Sequence, residues 1–414
     1  MFIQLAIKSL LNRKGSIILT IATISISLFV MLGVDHIRHQ AKESFASSVS
    51  GVDLIVGGRT GSINLLLYSV FRIGTPTDNL GWQSYKRLSK ERSVRWAVPI
   101  SLGDSHKGYR VLGTSPGYFK FFNFANNQPL HFKQGKAFEA VFDIVLGANI
   151  ADRLGYNIGD TITLSHGIGN TSFRNHDNLP FKVVGILRAT GTPVDQTLHV
   201  SLQGLEAVHI TKPLAVKRLK EAPELILAKA TYLEPKSVTA VMIGLKSKMA
   251  VFNFQRQINT DKQEPLTAIL PGVALSQLWQ TMSVFDNTLR LISYLVIISS
   301  LIGLSATLLS SIKERLNEIR LLRIIGASSV YVFSLIELEA LFIALISVII
   351  ALVSLSIVLS VSQEIILNNY GVMIEPQIFS KSSIELIIGF FLFVFIAAVS
   401  PAITAYNAAK NSQT

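Results

Sequence analysis

The chain has 414 residues, 49% of them hydrophobic and only 15% charged, with a net charge of +12 and a mean hydropathy of +0.44. That is too apolar for a soluble protein of this length and points to a membrane protein. The absence of cysteine excludes disulfides, thiolate metal sites and cysteine nucleophiles.

Residues 1–14 place apolar side chains at positions 2, 3, 5, 6, 7, 10 and 11, with Lys8, Arg13 and Lys14 between or after them. This predicts a short amphipathic helix on the cytoplasmic face. A first span follows over 15–34. Its apolar core is longer than the h-region of a signal peptide, and no small-x-small cleavage site follows it, so it is taken as a retained anchor. Thr20, Thr23, Ser25 and Ser27 suit close helix approach in lipid.

The helical spacing continues beyond the span through Val34, Ile37, Ala41 and Phe45, which predicts a stalk helix over 35–49. A matching stalk over 272–288 carries Leu275, Leu278, Met282 and Phe285 at near-heptad spacing. Between them, residues 50–271 form a mixed α/β domain. Strand patterns fall at 52–56, 94–100, 109–113, 161–164, 181–187, 198–201 and 224–232. Helix patterns fall at 63–71, 82–91, 148–154, 202–208 and 236–249. From about 114 to 201 strands and glycine-rich turns dominate, which suggests a mainly-β subdomain inserted into the first. Between residues 35 and 285 there are 28 Lys and Arg against 18 Asp and Glu, but they are scattered rather than clustered. A solvated excess explains them better than an anionic partner or lipid headgroups, and no nucleic-acid partner is expected.

Three more spans follow at 289–312, 329–362 and 385–409, giving four in a 1+3 arrangement. Residues 363–384 form a short outer loop and 410–414 a tail. The link 313–328 is a basic amphipathic helix, with Ile312, Leu316, Ile319 and Leu322 on one face and Gly326 placed to end it. Lys8, Arg13 and Lys14 before the first span, and Lys313, Arg315, Arg320 and Arg323 after the second, put both termini and this link in the cytoplasm. The large domain then lies outside.

Catalytic signatures fail. No G-x-x-x-x-G-K-[ST] loop and no H-E-x-x-H pair occurs. Gly113-Thr114-Ser115-Pro116-Gly117 has the form G-x-S-x-G, but the residue after the serine is a proline and has no N–H for an oxyanion hole. His36, His39 and Glu43 could share a helix face and bind zinc, although a headgroup-level polar belt accounts for them. His166, His176, Asp177, His199 and His209 are adequately explained by loop positions and satisfied surface histidines, with a metal role left open. The charges near the spans (Arg290, Glu337, Glu339 and Glu385) sit close to their ends, which argues against an ion-coupled carrier.

The link carries a resemblance. Glu314-Arg315-x-x-Glu318-Ile319-x-x-Leu322-Arg323-x-x-Gly326-Ala327-Ser328 resembles the cytoplasmic signature of the MacB/FtsX-like permeases, the type VII ABC transporter group. Leu5-Ala6-x-x-Ser9-Leu10, Glu339-Ala340 and Pro401-Ala402-x-x-Ala405 agree with it, as do Gly113–Phe119, Val145-Leu146-Gly147, Gly159-Asp160 and 181–186 in the outer domain. The glycine-rich pattern usual in the third span is missing. The resemblance implies a bacterial inner-membrane permease without ATPase chemistry of its own, on which a cytoplasmic ABC ATPase dimer binds ATP and magnesium. Glu314, Arg315, Glu318, Ile319, Leu322, Arg323, Gly326 and Ala327 would couple to that ATPase. A second permease subunit, identical or a paralogue, would complete the complex, with a periplasmic adaptor or lipoprotein and membrane lipids as further partners. The implied function is export or extraction by mechanotransmission. The alternative is an FtsX-like scaffold that activates a periplasmic hydrolase or another partner.

Overall fold

The computed structural model describes residues 14–125, 127–166, 179–210, 219, 222, 225–370 and 380–411. The predicted helix over 1–14 falls almost wholly outside them, as do His176 and Asp177. The chain divides into two compact units. One holds the residues up to Gln40, Met282–Ile365 and the C-terminal segment; the other is essentially Ala41–Thr281.

The first unit is helical. Four helices are long and apolar enough to cross a membrane: α1 (Lys14–Ser47), α7 (Pro271–Glu314), α9 (Ser329–Tyr370) and α10 (Lys381–Asn411). Helix α8 (Leu316–Ile324) joins α7 to α9. Helix α9 runs to Tyr370, past the position where the sequence placed the start of an outer loop. Helices α1 and α7 each run unbroken through residues of both units.

Small hydroxyl side chains tie the spans together. Thr20 Oγ1 donates to Thr307 Oγ1 at 3.3 Å, and Ser27 bonds Ser300, joining α1 to α7. Ser25 Oγ donates to the Ser347 carbonyl at 3.2 Å, and Ser347 Oγ to the Ile21 carbonyl at 3.4 Å, joining α1 to α9. Each of these oxygens is small enough to let backbones come close. Several also bond a carbonyl one turn back in their own helix: Thr20 to Ser16, Ser27 to Thr23, Ser300 to Val296 and Ser347 to Ile343.

The second unit is built on one twisted sheet. Its main strands in chain order are β1 (Leu54–Gly58), β2 (Val94–His106), β3 (Tyr109–Thr114), β4 (Phe132–Gly135), β5 (Asp143–Leu146), β6 (Phe181–Leu187), β7 (Thr197–Ser201), β8 (Ala240–Leu245) and β9 (Leu266–Ile269). The spatial order is β9-β1-β8-β2-β3-β7-β5-β6-β4. The strands between 109 and 201 therefore form one half of the sheet, and the β2–β3 hairpin bonds that half to the other. Helices α2 (Ser62–Ser69), α3 (Trp82–Ser89), α4 (Ala148–Leu154), α5 (Leu202–Val208) and α6 (Val251–Asn259) lie between these strands in the chain.

Two predicted elements are corrected. The helix pattern over 236–249 is β8, a strand with all six residues buried between β1 and β2. A strand covered on both faces has a continuous apolar run, so periodicity cannot distinguish it from a buried helix segment. The strand pattern over 224–232 is instead two 3-10 turns, Leu227–Lys229 and Thr231–Leu233.

Close backbone approach fixes Gly147 between β5 and α4. A Cβ there would lie 2.3 Å from the Val194 carbonyl oxygen and 2.5 Å from that of Asp195. Asp195 is fully buried and accepts bonds from the Thr190 and Gly191 amides and the Thr190 hydroxyl. Burial still pushes its carboxyl above the usual range, outweighing those bonds.

Candidate functional site

The turn between α7 and α9 concentrates the link's charged and apolar residues. Helix α7 ends at Glu314, and the Arg315 amide donates to the Ile312 carbonyl at 3.1 Å as the chain bends into α8. Helix α8 closes at Gly326, whose φ of +105° only glycine adopts readily. There the Ala327 amide returns to the Leu322 carbonyl at 2.9 Å. Ser328 then caps α9 by accepting the Tyr331 amide at 3.1 Å.

Arg315 occupies the bend. Its Nε donates to Glu318 Oε2 at 2.8 Å and its Nη1 to Glu339 Oε1 at 3.0 Å. Its side chain is 14% exposed, that of Glu339 2% and that of Glu318 59%. Burial works to lower the Arg315 pKa, but the adjacent Glu339 and Glu318 carboxylates outweigh it and hold the guanidinium above its ordinary value. One guanidinium thus joins α8 to the first turns of α9. Two residues before Glu339, Glu337 is also buried, and neither of its carboxylate oxygens has a hydrogen-bond partner among the described residues.

Ile312 and Ile319 pack with Val332, Ile336, Ala402, Ala405 and Ala409 in one cluster from α7, α8, α9 and α10. The four-residue face expected from the sequence is not kept. Leu316 is exposed and Leu322 half-buried, because the bend at Arg315 interrupts the helical register. Leu321, Ile324 and Ile325 point into solvent, the two isoleucines at 80% and 83% exposure. The sequence reading missed this patch. Its signal was the apolar run Leu321-Leu322-x-Ile324-Ile325, too wide for one buried face of a short helix. Glu314 lies at the end of α7, and the side chain of Arg323 is outside the described residues.

The predicted stalk residues separate into two groups. Phe45 packs against Phe71, with ring centroids 4.6 Å apart, and meets Trp279 edge-on at 5.8 Å. Leu275 rests on the same core as Phe45. Val34, Ala41 and Leu278 are half-buried. Ile37, Met282 and Phe285 are exposed, so the near-heptad seam does not close there. A polar tie takes its place: Arg38 Nε bonds Asp286 Oδ2 at 2.9 Å, between α1 and α7.

The histidines do not converge. Among the described residues no group of three metal-ligating side chains could hold an ion. His199 is buried among the Tyr118 and Phe119 rings, and burial, with the Arg72 guanidinium adding to it, pushes its imidazole down to about 3. His209 lies 3.5 Å from Asp104, and their hydrogen bond raises its pKa. The Gly113–Gly117 motif is a turn: the Tyr118 amide donates to the Ser115 carbonyl at 2.9 Å and opens the short helix Gly117–Phe121.

The MacB-like periplasmic core domain matches residues 17–260, more than half of the chain, and the FtsX-like permease C-terminal domain matches residues 290–413. The chain belongs to the MacB/FtsX-like ABC transporter permeases. As a member of that family it is the transmembrane subunit type of an ABC transporter. Among solved structures, the periplasmic region of MacB from Actinobacillus actinomycetemcomitans is similar at 12% identity and a TM-score of 0.35, covering 57% of this chain and 94% of that one. The extracellular domain of the noncanonic ABC-type transporter YknZ from Gram-positive bacteria is similar at 12% identity and a TM-score of 0.29, covering 53% and 98%. No curated protein matches the chain. The family assignment rests on the two domain matches, and the second of them contains the whole α7–α9 turn of this MacB/FtsX-like permease, Arg315 and Glu339 included.

Proposed function

We propose that this permease couples ATP hydrolysis by a separate cytoplasmic ATPase dimer to a conformational change of its outer domain. In this reading the permease is a multi-pass protein of the bacterial inner membrane with both termini inside. It pairs with a second permease subunit and drives export or extraction of a substrate without passing it through its own spans. ATP and magnesium belong to the ATPase.

The observation that carries the reading is the double pairing of Arg315. A push on α8 is transmitted to α9 through a buried ion pair rather than through flexible chain. Beside it, Leu321, Ile324 and Ile325 offer a small apolar surface for the ATPase to cover. The unbroken helices α1 and α7 supply a route along which motion reaches the outer domain. Among the described residues no ionisable side chain faces a shared site at the middle of the spans, which fits a transmitter better than a carrier.

The test is reconstitution of the permease with its ATPase. Arg315→Ala should leave ATPase binding measurable but cut permease-stimulated hydrolysis at least tenfold. Stimulation equal to the unaltered protein would reject the coupling role.

A further inference from the structure

Two cavities in the helical unit form one amphipathic site. The polar one, about 250 Å³, is lined by Asp35, Arg38, Arg290, Ser293, Ser382 and Glu385 among others. The apolar one, about 500 Å³, is lined by Ile297, Leu301, Gly389, Phe390 and Phe393 among others. Met31, Tyr294, Glu385 and Leu386 line both, so the two are continuous. Their walls come from α1, α7 and α10. The polar end lies where α1 leaves its apolar run and α7 enters its own, at the level of headgroups. Together they have the size and composition of a ligand site, a mostly apolar cleft with a few polar groups at one end.

The charges at the polar end are unequally committed. Arg38 is held by Asp286 at 2.9 Å. Asp35 accepts from Ser382 Oγ at 2.7 Å and lies 3.8 Å from Arg38 and 3.9 Å from Arg290. That last contact, at the outer limit of an ion pair, is the sole ion pair of Arg290 among the described residues, and its side chain is 44% exposed. Glu385 is exposed and makes no ion pair among the described residues. One cavity therefore presents a weakly held cation and an unpaired carboxylate that do not neutralise each other. A head carrying a phosphate and an ammonium group complements both: phosphate on Arg290, ammonium on Glu385. An anionic head would meet Glu385 as a like charge. Tyr294, shared by both cavities, has the apolar body and polar tip that suit a headgroup boundary.

The apolar end has room for a chain. A Cβ on Gly389 would meet nothing within 4 Å. An acyl tail gains little by leaving the bilayer for this cleft, because lipid tails are already apolar surroundings. Selection must therefore come from the head.

We infer that the cleft between α1, α7 and α10 holds one bilayer phospholipid of the phosphatidylethanolamine type, its phosphate on Arg290, its amine on Glu385 and an acyl chain along Gly389 and Phe393. This site is independent of the ATPase reading.

The test uses the purified full-length permease in nanodiscs of equal phosphatidylethanolamine and phosphatidylglycerol, with lipids retained after mild detergent transfer counted by native mass spectrometry. The unaltered protein should keep one phosphatidylethanolamine per chain, at least tenfold over phosphatidylglycerol. Glu385→Gln should reduce that preference at least fivefold by removing the repulsion of the anionic head, and Arg290→Gln should lower retention of both lipids at least fivefold. Gly389→Phe fills open space and should abolish retention without changing the helical circular dichroism. Equal retention of the two lipids by the unaltered protein overturns the inference. So does retention unaffected by Gly389→Phe, or a crosslink placing a second permease copy in the cleft. If Gly389→Phe fails to fold, the two charge variants decide.

Discussion

Replacing Glu339 with glutamine isolates the charge at the α8–α9 junction. Glu339 is almost fully buried, and the guanidinium it pairs with is only 14% exposed. Removing one partner of a buried ion pair costs about 3–5 kcal/mol, mostly from stranding the other charge. Here Arg315 keeps Glu318, but that carboxylate is 59% exposed and its attraction is screened. The expected cost is therefore at the low end, about 3 kcal/mol. In a double-mutant cycle with Arg315→Gln, the second substitution should recover much of the loss, giving a coupling energy of about 2 kcal/mol. The assay is SDS-induced unfolding of the purified chain followed by helical circular dichroism. A coupling energy below about 0.5 kcal/mol, the level at which independent sites add, would refute the view that this pair joins α8 to α9.

Other outcomes can be checked separately. Ile324→Asp with Ile325→Asp should leave the fold unchanged, since both side chains are already in solvent. ATPase binding should weaken by at least tenfold, because burying one such side chain is worth about 1.5–3 kcal/mol; unchanged affinity would remove this patch from the interface. His199 is neutral in the fold with a pKa of about 3 against an ordinary 6.5, so its contribution is complete above about 6.5 and is lost as pH falls toward 3. At pH 5 the loss is about 2 kcal/mol. His199→Phe should flatten the fall in melting temperature between pH 7 and 5, opposite in sign to the effect of His209, which gains its charge more readily in the fold. Gly147→Ala should destabilise the outer unit by at least about 2 kcal/mol, because its Cβ meets two backbone carbonyls that cannot swing aside; an unchanged melting curve would contradict that.

The spans were legible because a bilayer demands some twenty uncharged residues in a row, a signal few other constraints produce. The pairing of Arg315 with Glu318 was readable from their spacing. Its pairing with Glu339 was not, since 24 residues separate the two and only the return of α9 brings them together. Strand β8 was hidden for a different reason: Val241, Met242 and Ile243 are all buried, so the alternation that identifies a half-exposed strand is missing. The expected seam through Met282 and Phe285 failed where Arg38 and Asp286 meet, because spacing alone does not show whether two helices join through apolar contacts or through an ion pair. The phospholipid cleft left no sequence signal of its own. Its residues come from three helices, and Arg290 and Glu385 looked like ordinary charges at the ends of spans.

The hydroxyl ties of α1 have a consequence for how the spans can shear. Thr20, Ser27, Ser300 and Ser347 each share one hydroxyl proton between a carbonyl of their own helix and a group on a neighbouring helix. When two spans slide past each other, such an oxygen gives up its partner across the gap and keeps the one beneath it, so no polar group is stranded in hydrocarbon. The contact behaves like a detent: it marks a resting register at little cost, and a helix can leave that register and fall into the next without passing through a state that lipid penalises.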